Sequence, residues 1–205
     1  MAAQNHISAS CVIGGGRVYK DQGLIFDASG PDADTLLLSL YQHSGINYPK
    51  FYKMDRLSKL GWLASEILLE GGFDKDRYQP GSVGLVLSNA NSSLDADIKY
   101  WASVSDMASP SLFVYTLPNI VIGEICIKNG FKGEHAFYIT PRFDAAFIEQ
   151  QVEYLLNTEI LQACICGWVD IVGEEYKAAL FLVEKGNGTT KFLATEMDKI
   201  FNTVI

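Results

Sequence analysis

Short apolar segments with strand-like composition alternate along this chain with longer segments in which apolar residues recur at helical spacing. The strand-like segments are residues 7–13, 82–88, 136–140, 159–168 and 178–184. Helical segments separate the first four, and only a polar turn separates the last two. The resulting order, β-α-β-α-β-α-β-β, predicts an α/β fold in which a mixed sheet is covered by helices. No other feature of the sequence restricts the fold as strongly.

The helical segments are recognised by their periodicity. In residues 55–72, apolar side chains recur at intervals of three and four, and Gly71-Gly72 marks the end. Residues 116–130 predict a mostly buried helix that ends at Asn129-Gly130, because apolar residues cover more than one of its faces. A shorter apolar helix is predicted after Thr35.

Capping residues predict where two further helices begin. Ser92 and Asp95 occupy the positions of a capping box at the start of one helix. Thr140 ends the third strand and can cap the next helix, whose first position would be Pro141, where no N–H is needed. Residues 20–34 are rich in Gly, Asp and Pro and are predicted to form a loop.

The length and the lack of internal linkers predict one domain. The chain has 205 residues, which favours a single domain over 1–205. The core is predicted to span about residues 7–185. Residues 186–205 are predicted to be a C-terminal extension with one more short helix at 191–201.

Composition and charge exclude several classes of function. The net charge is −8, and 48% of the residues are hydrophobic and 20% charged. An acidic protein is a poor ligand for nucleic acid or for an anionic membrane, so neither partner is predicted. No apolar run approaches the roughly 18 residues of a membrane span, and the first residues lack the pattern of a signal peptide. We therefore expect a cytoplasmic protein without a membrane span.

The four cysteines predict buried, reduced thiols rather than a reactive or metal-binding site. Cys164 and Cys166 form a C-x-C pair, but in a strand Ile165 would face the opposite side from both. Cys126 falls in the middle of an apolar helix, where a thiol is inert. No second Cys or His pair accompanies them, so neither a metal nor a cofactor is predicted.

Several motifs, in order along the chain, resemble the N-terminal half of the β-ketoacyl-[acyl-carrier-protein] synthases, which have the thiolase fold. KMDRLSKLG at 53–61 is similar to the start of the family's first core helix, and VGLVLSNA at 83–90 to its second core strand. SPSLFVYTLPNIVIGEICIKNGFKG at 109–133 is the strongest similarity, and ACICGWVD at 163–170 resembles a later strand end. The resemblance covers about residues 7–185 and implies a single thiolase-like half.

The resemblance also implies that the catalytic nucleophile is missing. The family places a Cys at the N-terminus of the helix after the third strand, between two small residues. Matching Gly133 and Thr140 to the family puts Arg142 at that position, flanked by Pro141 and Phe143. The family's second half supplies two catalytic His residues and a Lys, and none of the three His residues here falls in a family His motif. The resemblance thus implies a half-length protein without catalytic residues.

Replacement of the Cys by Arg142 removes the chemistry of that turn. A helix N-terminus stabilises a thiolate, whereas a guanidinium stays protonated and is neither nucleophile nor base. Asp144, in the predicted first turn, can offset the positive charge of Arg142 near the helix dipole. Three roles stay open for Arg142: a surface substitution without consequence, a plug for the acyl tunnel or partner of a carboxylate across an interface, and a ligand for an anion.

Two further sets of residues are candidates for contacts with partners. The basic cluster is a candidate docking site for an acidic acyl carrier protein, with a solvated helix face as the alternative; it comprises Lys50, Lys53, Arg56 and Lys59. Asn119 is expected to be buried and hydrogen-bonded, with a dimer contact as its second role. Tyr138, Ile139 and Thr140 match the strand that pairs across the synthase dimer axis, and an edge strand needs cover. We therefore expect a homo-oligomer or a heterodimer with an active ketosynthase.

Three functions remain as hypotheses. The first is a non-catalytic partner, similar to the chain-length-factor subunits of polyketide, fatty-acid-like and aryl-polyene pathways. The second is a thioester-acting decarboxylase or hydrolase, with Asp144 or Glu134 near the helix start as a base. The third is a module that only binds an acyl carrier protein.

Overall fold

The structure is a computed structural model that describes residues 4–28, 30, 32–105, 107–186 and 190–203. Its strands are β1 (Asn5–Gly14), β2 (Arg17–Lys20), β3 (Gly23–Asp27), β4 (Val83–Asn89), β5 (His135–Ile139), β6 (Ala163–Val172), β7 (Glu175–Lys185) and β8 (Thr190–Lys191). Its α-helices are α1 (Ala33–His43), α2 (Arg56–Leu69), α3 (Leu94–Val104), α4 (Pro110–Phe113), α5 (Ile120–Asn129), α6 (Ala145–Asn157) and α7 (Ala194–Phe201).

The strands form one mixed sheet in the order β3-β2-β1-β7-β6-β4-β5, with β8 paired to β1. β4 lies parallel to both β5 and β6, whereas β7 is antiparallel to its neighbours β1 and β6. β1, β4, β5 and β6 therefore share one direction, and their carboxyl ends lie at the same edge of the sheet. The predicted α/β class with a mixed sheet is confirmed.

Helices cover both faces of the sheet. One core lies under α1, α2 and α5, and the other lies under α6 and α7. Successive residues of β6 alternate between them: Ile165 packs in the first core, and Cys164 and Cys166 pack in the second. This alternation confirms the predicted facing of the C-x-C pair and gives three layers, helices–sheet–helices.

α2 shows how the sequence builds the first layer. Asp55 caps its start, because the carboxylate accepts hydrogen bonds from the backbone N–H groups of Leu57 and Ser58. Gly61 lets α2 approach α5 closely: a Cβ at this position would lie 2.4 Å from Cγ2 of Val121. Burial of the apolar face of α2 against β1, β6 and β7 then fixes the helix on the sheet.

The prediction of a loop at 20–34 is wrong over residues 20–27, because β2 and β3 form a hairpin as the outermost strands of the sheet. Residues 28, 30 and 32 belong to no helix or strand, and residues 29 and 31 lie outside the described residues. Asp21 and Gln22 make the hairpin's two-residue turn with φ values of 49° and 67°. Such turns need two residues at positive φ, and aspartate tolerates that conformation better than most residues. Residue composition alone indicated a loop, and the pairing of β2 with β1 decided otherwise.

The predicted capping box at Ser92 is also wrong. Ser92 has a φ of 52° and lies before α3, whose N-terminal flanking residue is Ser93. The Ser93 side chain caps nothing in the helix; its hydroxyl donates a hydrogen bond to the carbonyl of Thr116, 2.8 Å away. The Asp95 carboxylate forms an ion pair with Arg56 instead of a capping interaction.

Other boundaries lie within a few residues of those predicted. α5 ends at Asn129, and Gly130 follows at a φ of 77°, as the sequence indicates. β6 and β7 extend toward each other until only Gly173-Glu174 separates them. Among the described residues, no helix is both long and apolar enough to cross a membrane.

Candidate functional site

The candidate site is the turn that follows β5, at the edge of the sheet where the parallel strands end. Backbone N–H of Thr140 donates to the carbonyl of Asn89, the last residue of β4, at 2.9 Å. Asn89 is buried, and its side chain holds the next turn by accepting from the N–H of Ser92 and donating to the Ser92 carbonyl. The two strand ends are therefore fixed side by side, and Arg142 follows directly.

The predicted helix start at Thr140-Pro141 is wrong. α6 begins at Ala145, and Asp144 is its N-cap, with Oδ1 accepting from the N–H of Phe147 at 3.0 Å. The Thr140 hydroxyl donates instead to the carbonyl of Arg142 at 2.9 Å. Aspartate is at least as good a cap as threonine, so the helix takes the later start. Arg142 is exposed and lies before the helix rather than on it.

Aromatic rings fill the space behind this turn. Phe143 stacks on Phe201 of α7 with ring centroids 4.5 Å apart, and it also meets the rings of Trp168 and Phe181 at 6.3 Å. Nζ of Lys177 lies 4.0 Å from the centroid of the Phe201 ring. The C-terminal helix therefore closes the layer beside α6 with packed side chains. Arg142 itself is exposed and therefore plugs nothing within this chain.

The four cysteines are free, and burial makes each of them a poor nucleophile. Burial raises the pKa of the Cys164 thiol to about 12 and that of Cys126 to about 11. It also raises the pKa of the Cys11 and Cys166 thiols well above the ordinary value. A thiol in such surroundings stays protonated at neutral pH. None of these cysteines lies in the turn after β5.

The histidines lie away from the turn. His6 and His135 stand at the beginning of β1 and β5, at the opposite edge of the sheet from Arg142. His43 ends α1 and packs against Phe26, with ring centroids 5.1 Å apart. No described histidine is placed to activate a group at the carboxyl edge.

The two carboxylates suggested as alternative bases lie at opposite ends of β5. Glu134 directly precedes β5 and Asp144 follows it, so the strand separates them by about 17 Å at 3.3 Å per residue. The expectation that Glu134 lies near the helix start is wrong. Asp144 is occupied as the helix cap.

One polar cluster at this edge was not predicted. Asp170 at the end of β6 accepts from the backbone N–H of Asn91 at 3.3 Å and from its side-chain amide at 2.8 Å. Partial burial raises the pKa of Asp170, although these hydrogen bonds oppose the shift, and burial lowers the pKa of Lys177 in the same cavity. The A-x-x-x-G-x-x-D spacing of residues 163–170 could have indicated it. Its bonds order the turn after β4.

Arg56, one of the four docking candidates, is buried at 6% exposure and is not available for docking. Its guanidinium lies 3.2 Å from Asp95 and 3.3 Å from both Asp34 and Glu174. Burial of Arg56 disfavours its charged form, but the three carboxylates stabilise that form by more. The pKa of Arg56 is therefore raised above its ordinary value. The basic side chain thus joins α1, α2, α3 and the β6–β7 turn, which local sequence does not reveal.

The other basic candidates differ from one another. Nζ of Lys50 lies 2.6 Å from the buried carboxylate of Glu124, and Nζ of Lys59 lies 5.6 Å from the centroid of the Phe51 ring. Burial also lowers the pKa of Lys59. Lys53 is exposed at the end of the turn that precedes α2.

Of the interface candidates, Asn119 departs from expectation. It is exposed, not buried, and its side chain does not cap α5. β5 pairs only with β4 among the described strands, so Tyr138, Ile139 and the strand's outer backbone lie at an open edge of the sheet. The Tyr138 hydroxyl donates to Oε1 of Gln151 on α6 at 3.1 Å.

The largest group of exposed apolar side chains lies on α3, α4 and the residues after each. Trp101 is 78% exposed and Met107 is 80% exposed. The apolar surface, as we call this group, comprises Leu94, Ile98, Trp101, Val104, Met107, Phe113, Val114 and Leu117. α3 and α4 contact each other, and exposed apolar side chains grouped on neighbouring segments favour association with another molecule. Among the described residues, no group of three or more His, Cys, Asp or Glu is placed to hold a metal ion.

Comparison with known proteins identifies the fold. No protein-family model matches the sequence, and no curated protein matches it. Among solved structures, the ishigamide ketosynthase/chain length factor is 14% identical with a TM-score of 0.63, over 92% of this chain and 64% of that one. A chain of the ketosynthase ApeO in complex with its chain length factor ApeC, from Xenorhabdus doucetiae, is 12% identical with a TM-score of 0.56, over 97% and 90%.

A β-ketoacyl synthase from Burkholderia phymatum STM815 is 12% identical with a TM-score of 0.56, over 89% of this chain and 59% of that one. At these identities the likeness shows the fold, which is the thiolase-like fold of ketosynthases and chain length factors. This confirms the predicted resemblance at the level of the fold. The chain spans less than two thirds of the first two neighbours' lengths.

Proposed function

We propose that this chain is a non-catalytic β-ketoacyl synthase-like protein that acts as a chain-length-factor-like partner of an active ketosynthase in fatty-acid, polyketide or aryl-polyene-type biosynthesis. The observation that carries the proposal is the turn after β5. It presents exposed Arg142 where the resemblance to the synthases places a catalytic Cys. Arginine cannot attack a thioester carbon, because its guanidinium has no free electron pair at neutral pH.

The surroundings of the turn support a loss of chemistry rather than a rearrangement of it. The thiols have raised pKa values, and the described histidines lie elsewhere. Nucleophilic catalysis needs a nucleophile within hydrogen-bond reach of a base. The turn offers no such pair, because the Thr140 hydroxyl donates to the Arg142 carbonyl and the Asp144 carboxylate caps α6. Aromatic rings occupy the space behind it.

Two surfaces support the partner role. Among the described strands, β5 has a neighbour on one side only, which leaves the backbone groups of its other side unpaired in the sheet. The apolar surface exposes eight large side chains. Both are costly in water and favour burial by association. Two of the solved neighbours named above are ketosynthases with a chain length factor, which makes an active ketosynthase the partner we propose.

The alternatives receive less support from the geometry. A decarboxylase or hydrolase with Asp144 or Glu134 as its base is disfavoured, because Asp144 is engaged as the N-cap of α6 and Glu134 lies at the other end of β5. Arg56 is buried and cannot contact an acyl carrier protein. Lys50 could contact one only if its ion pair with Glu124 were broken. Carrier docking would therefore depend on Lys53 and Lys59.

Affinity purification of the tagged protein from its native cells, followed by mass spectrometry, tests the proposal. We expect a ketosynthase to co-purify in a stoichiometric complex, and we expect deletion of this chain to change the length or yield of that ketosynthase's product. Recovery of a complex with unchanged products after deletion would contradict the proposed role. A protein that elutes as a monomer without any ketosynthase would contradict the partnership itself.

A further inference from the structure

A cavity of about 290 Å³ lies beside the amino ends of the parallel strands, whereas Arg142 follows the carboxyl end of β5. Its walls come from the ends of α2 and α5, which lead into the amino ends of β4 and β5, and from the segment after α1. Ile46, Ile67, Leu69, Phe73 and Phe131 give it apolar walls. Its volume is at the lower end of the range for pockets that bind small molecules.

One carboxylate in the cavity wall has little compensation for its burial. Glu66 accepts a hydrogen bond from the side-chain amide of Asn129 at 3.1 Å, the one hydrogen bond found for its carboxylate within the described part of the chain. Burial raises the pKa of Glu66, even though Asn129 and Lys128 act in the opposite direction. A partly desolvated carboxylate gains most from a cation that enters its cavity.

The helix ends add to the negative potential. α1, α2 and α5 all finish at this cavity, with Ser44, Glu70 and Gly130 as their C-caps. Each helix carries about half a negative charge at its C-terminus, on carbonyl groups without intrahelical partners. The chain already places an ammonium at one of these ends, because Nζ of Lys20 donates to the carbonyl of Glu70.

The side chains that line the cavity carry a net charge of −1, and the ammonium groups of Lys20 and Lys128 lie outside this lining. Glu66 and Glu70 contribute two carboxylates, and Lys75, which is exposed at the rim, contributes one ammonium. We propose that this cavity binds a small organic cation, a primary ammonium attached to an apolar body. The ammonium would pair with Glu66, and the apolar body would lie against Phe73, Phe131 and the aliphatic side chains beside them.

This site is independent of the proposed function, because it lies at the other edge of the sheet and uses no residue of the turn after β5. Three probes of the same length separate its chemistry: hexylammonium, hexan-1-ol and hexanoate. Each probe is titrated into the full chain at neutral pH, up to about 10 mM probe. Binding is measured by isothermal calorimetry or by amide chemical shifts, because we expect millimolar affinity for a fragment this small.

We expect saturable binding of hexylammonium about tenfold tighter than that of hexan-1-ol, and no binding of hexanoate. Glu66→Gln should abolish the preference for the cation but keep the binding of the alcohol, because a glutamine oxygen still accepts the hydrogen bond from Asn129. Asp198→Asn, which removes an equal charge from an exposed position of α7, is the matched control and should keep the preference.

Phe73→Ala should weaken both the cation and the alcohol, because it removes part of the apolar wall that they share. Equal affinity for all three probes, absence of saturable binding, or a preference for the cation that survives in Glu66→Gln would each overturn the proposal.

Discussion

A thiol placed at residue 142 would lack the environment that activates a catalytic cysteine. The position is exposed, and α6 begins three residues later with Asp144 as its cap. The helix dipole acts mainly within the first turn, and a neighbouring carboxylate disfavours a thiolate. We therefore predict that Arg142→Cys has a thiol pKa near the ordinary value of about 8.5, measured from the pH dependence of its alkylation rate.

The natural thiols in the same variant serve as the internal control, because burial should keep them unreactive. A thiol pKa below about 7 at residue 142 would show that the turn still provides an activating site. It would also mean that the later helix start does not describe the protein in solution.

Arg56 is predicted to matter for stability rather than for docking. Within the described part of the chain, its removal would leave the buried carboxylate of Asp95 paired with Lys99 alone. Loss of one partner from a buried ion pair costs about 3 kcal/mol or more. We expect Arg56→Met to lower the free energy of unfolding by about that amount in urea denaturation.

Lys53→Met is the matched control, because Lys53 is exposed three residues earlier in the chain. Its effect should stay within about 0.5 kcal/mol, as for most surface substitutions. Equal effects of the two substitutions would mean that the ion network around Arg56 contributes nothing.

At the scale of the elements, the apolar surface should act in association and not in folding. Trp101 on α3 is 78% exposed, so its ring adds little to the core but much to any interface that covers it. We predict that Trp101→Ser weakens association, with itself or with a ketosynthase, about tenfold or more. The free energy of unfolding of the separated chain should change by about 0.5 kcal/mol or less.

Tyr154→Ser provides the comparison, because Tyr154 is also an exposed aromatic residue, 62% exposed, but lies on α6 away from the apolar surface. Association measured by analytical ultracentrifugation should be unchanged in this variant. If both variants lost affinity equally, or if neither lost any, the apolar surface would not be part of the interface.

The elements divide into those that local sequence determines and those that it does not. α2 and β4 were predictable, since periodicity, capping by Asp55 and short apolar runs are local signals. The β2–β3 hairpin was not, because pairing with β1 overrides a loop-like composition. At the candidate site, the identity of residue 142 was readable, but the start of α6 was not. Thr140 and Asp144 can each cap a helix, and the Thr-Pro pair favoured the earlier start.

For the whole molecule, burial of several carboxyl groups predicts how stability depends on pH. Burial raises the pKa of four such groups: Asp55, Glu66, Glu153 and Asp170. The folded state then binds more protons than the unfolded state just above the ordinary carboxyl pKa of about 4. At neutral pH these groups are ionised, and their burial lowers the free energy of unfolding. The free energy of unfolding rises again as the pH falls through the raised pKa values.

We therefore predict a larger free energy of unfolding at about pH 5 than at about pH 7, measured in urea. Asp170→Asn should reduce the difference, because the amide does not titrate. Reduced repulsion among the acidic side chains acts in the same direction, since the net charge is −8 at neutral pH. Stability that rises from pH 5 to pH 7 would contradict this account of the buried carboxyl groups.

The central claim is that a thiolase-like fold persists here without a group that can accept an acyl chain. Its most direct measurement is the intact mass of the purified protein after incubation with acyl thioesters of several lengths, with an active ketosynthase as the positive control. The account predicts that this chain keeps its unmodified mass while the ketosynthase becomes acylated. A stoichiometric acyl adduct on any side chain of this protein would contradict it.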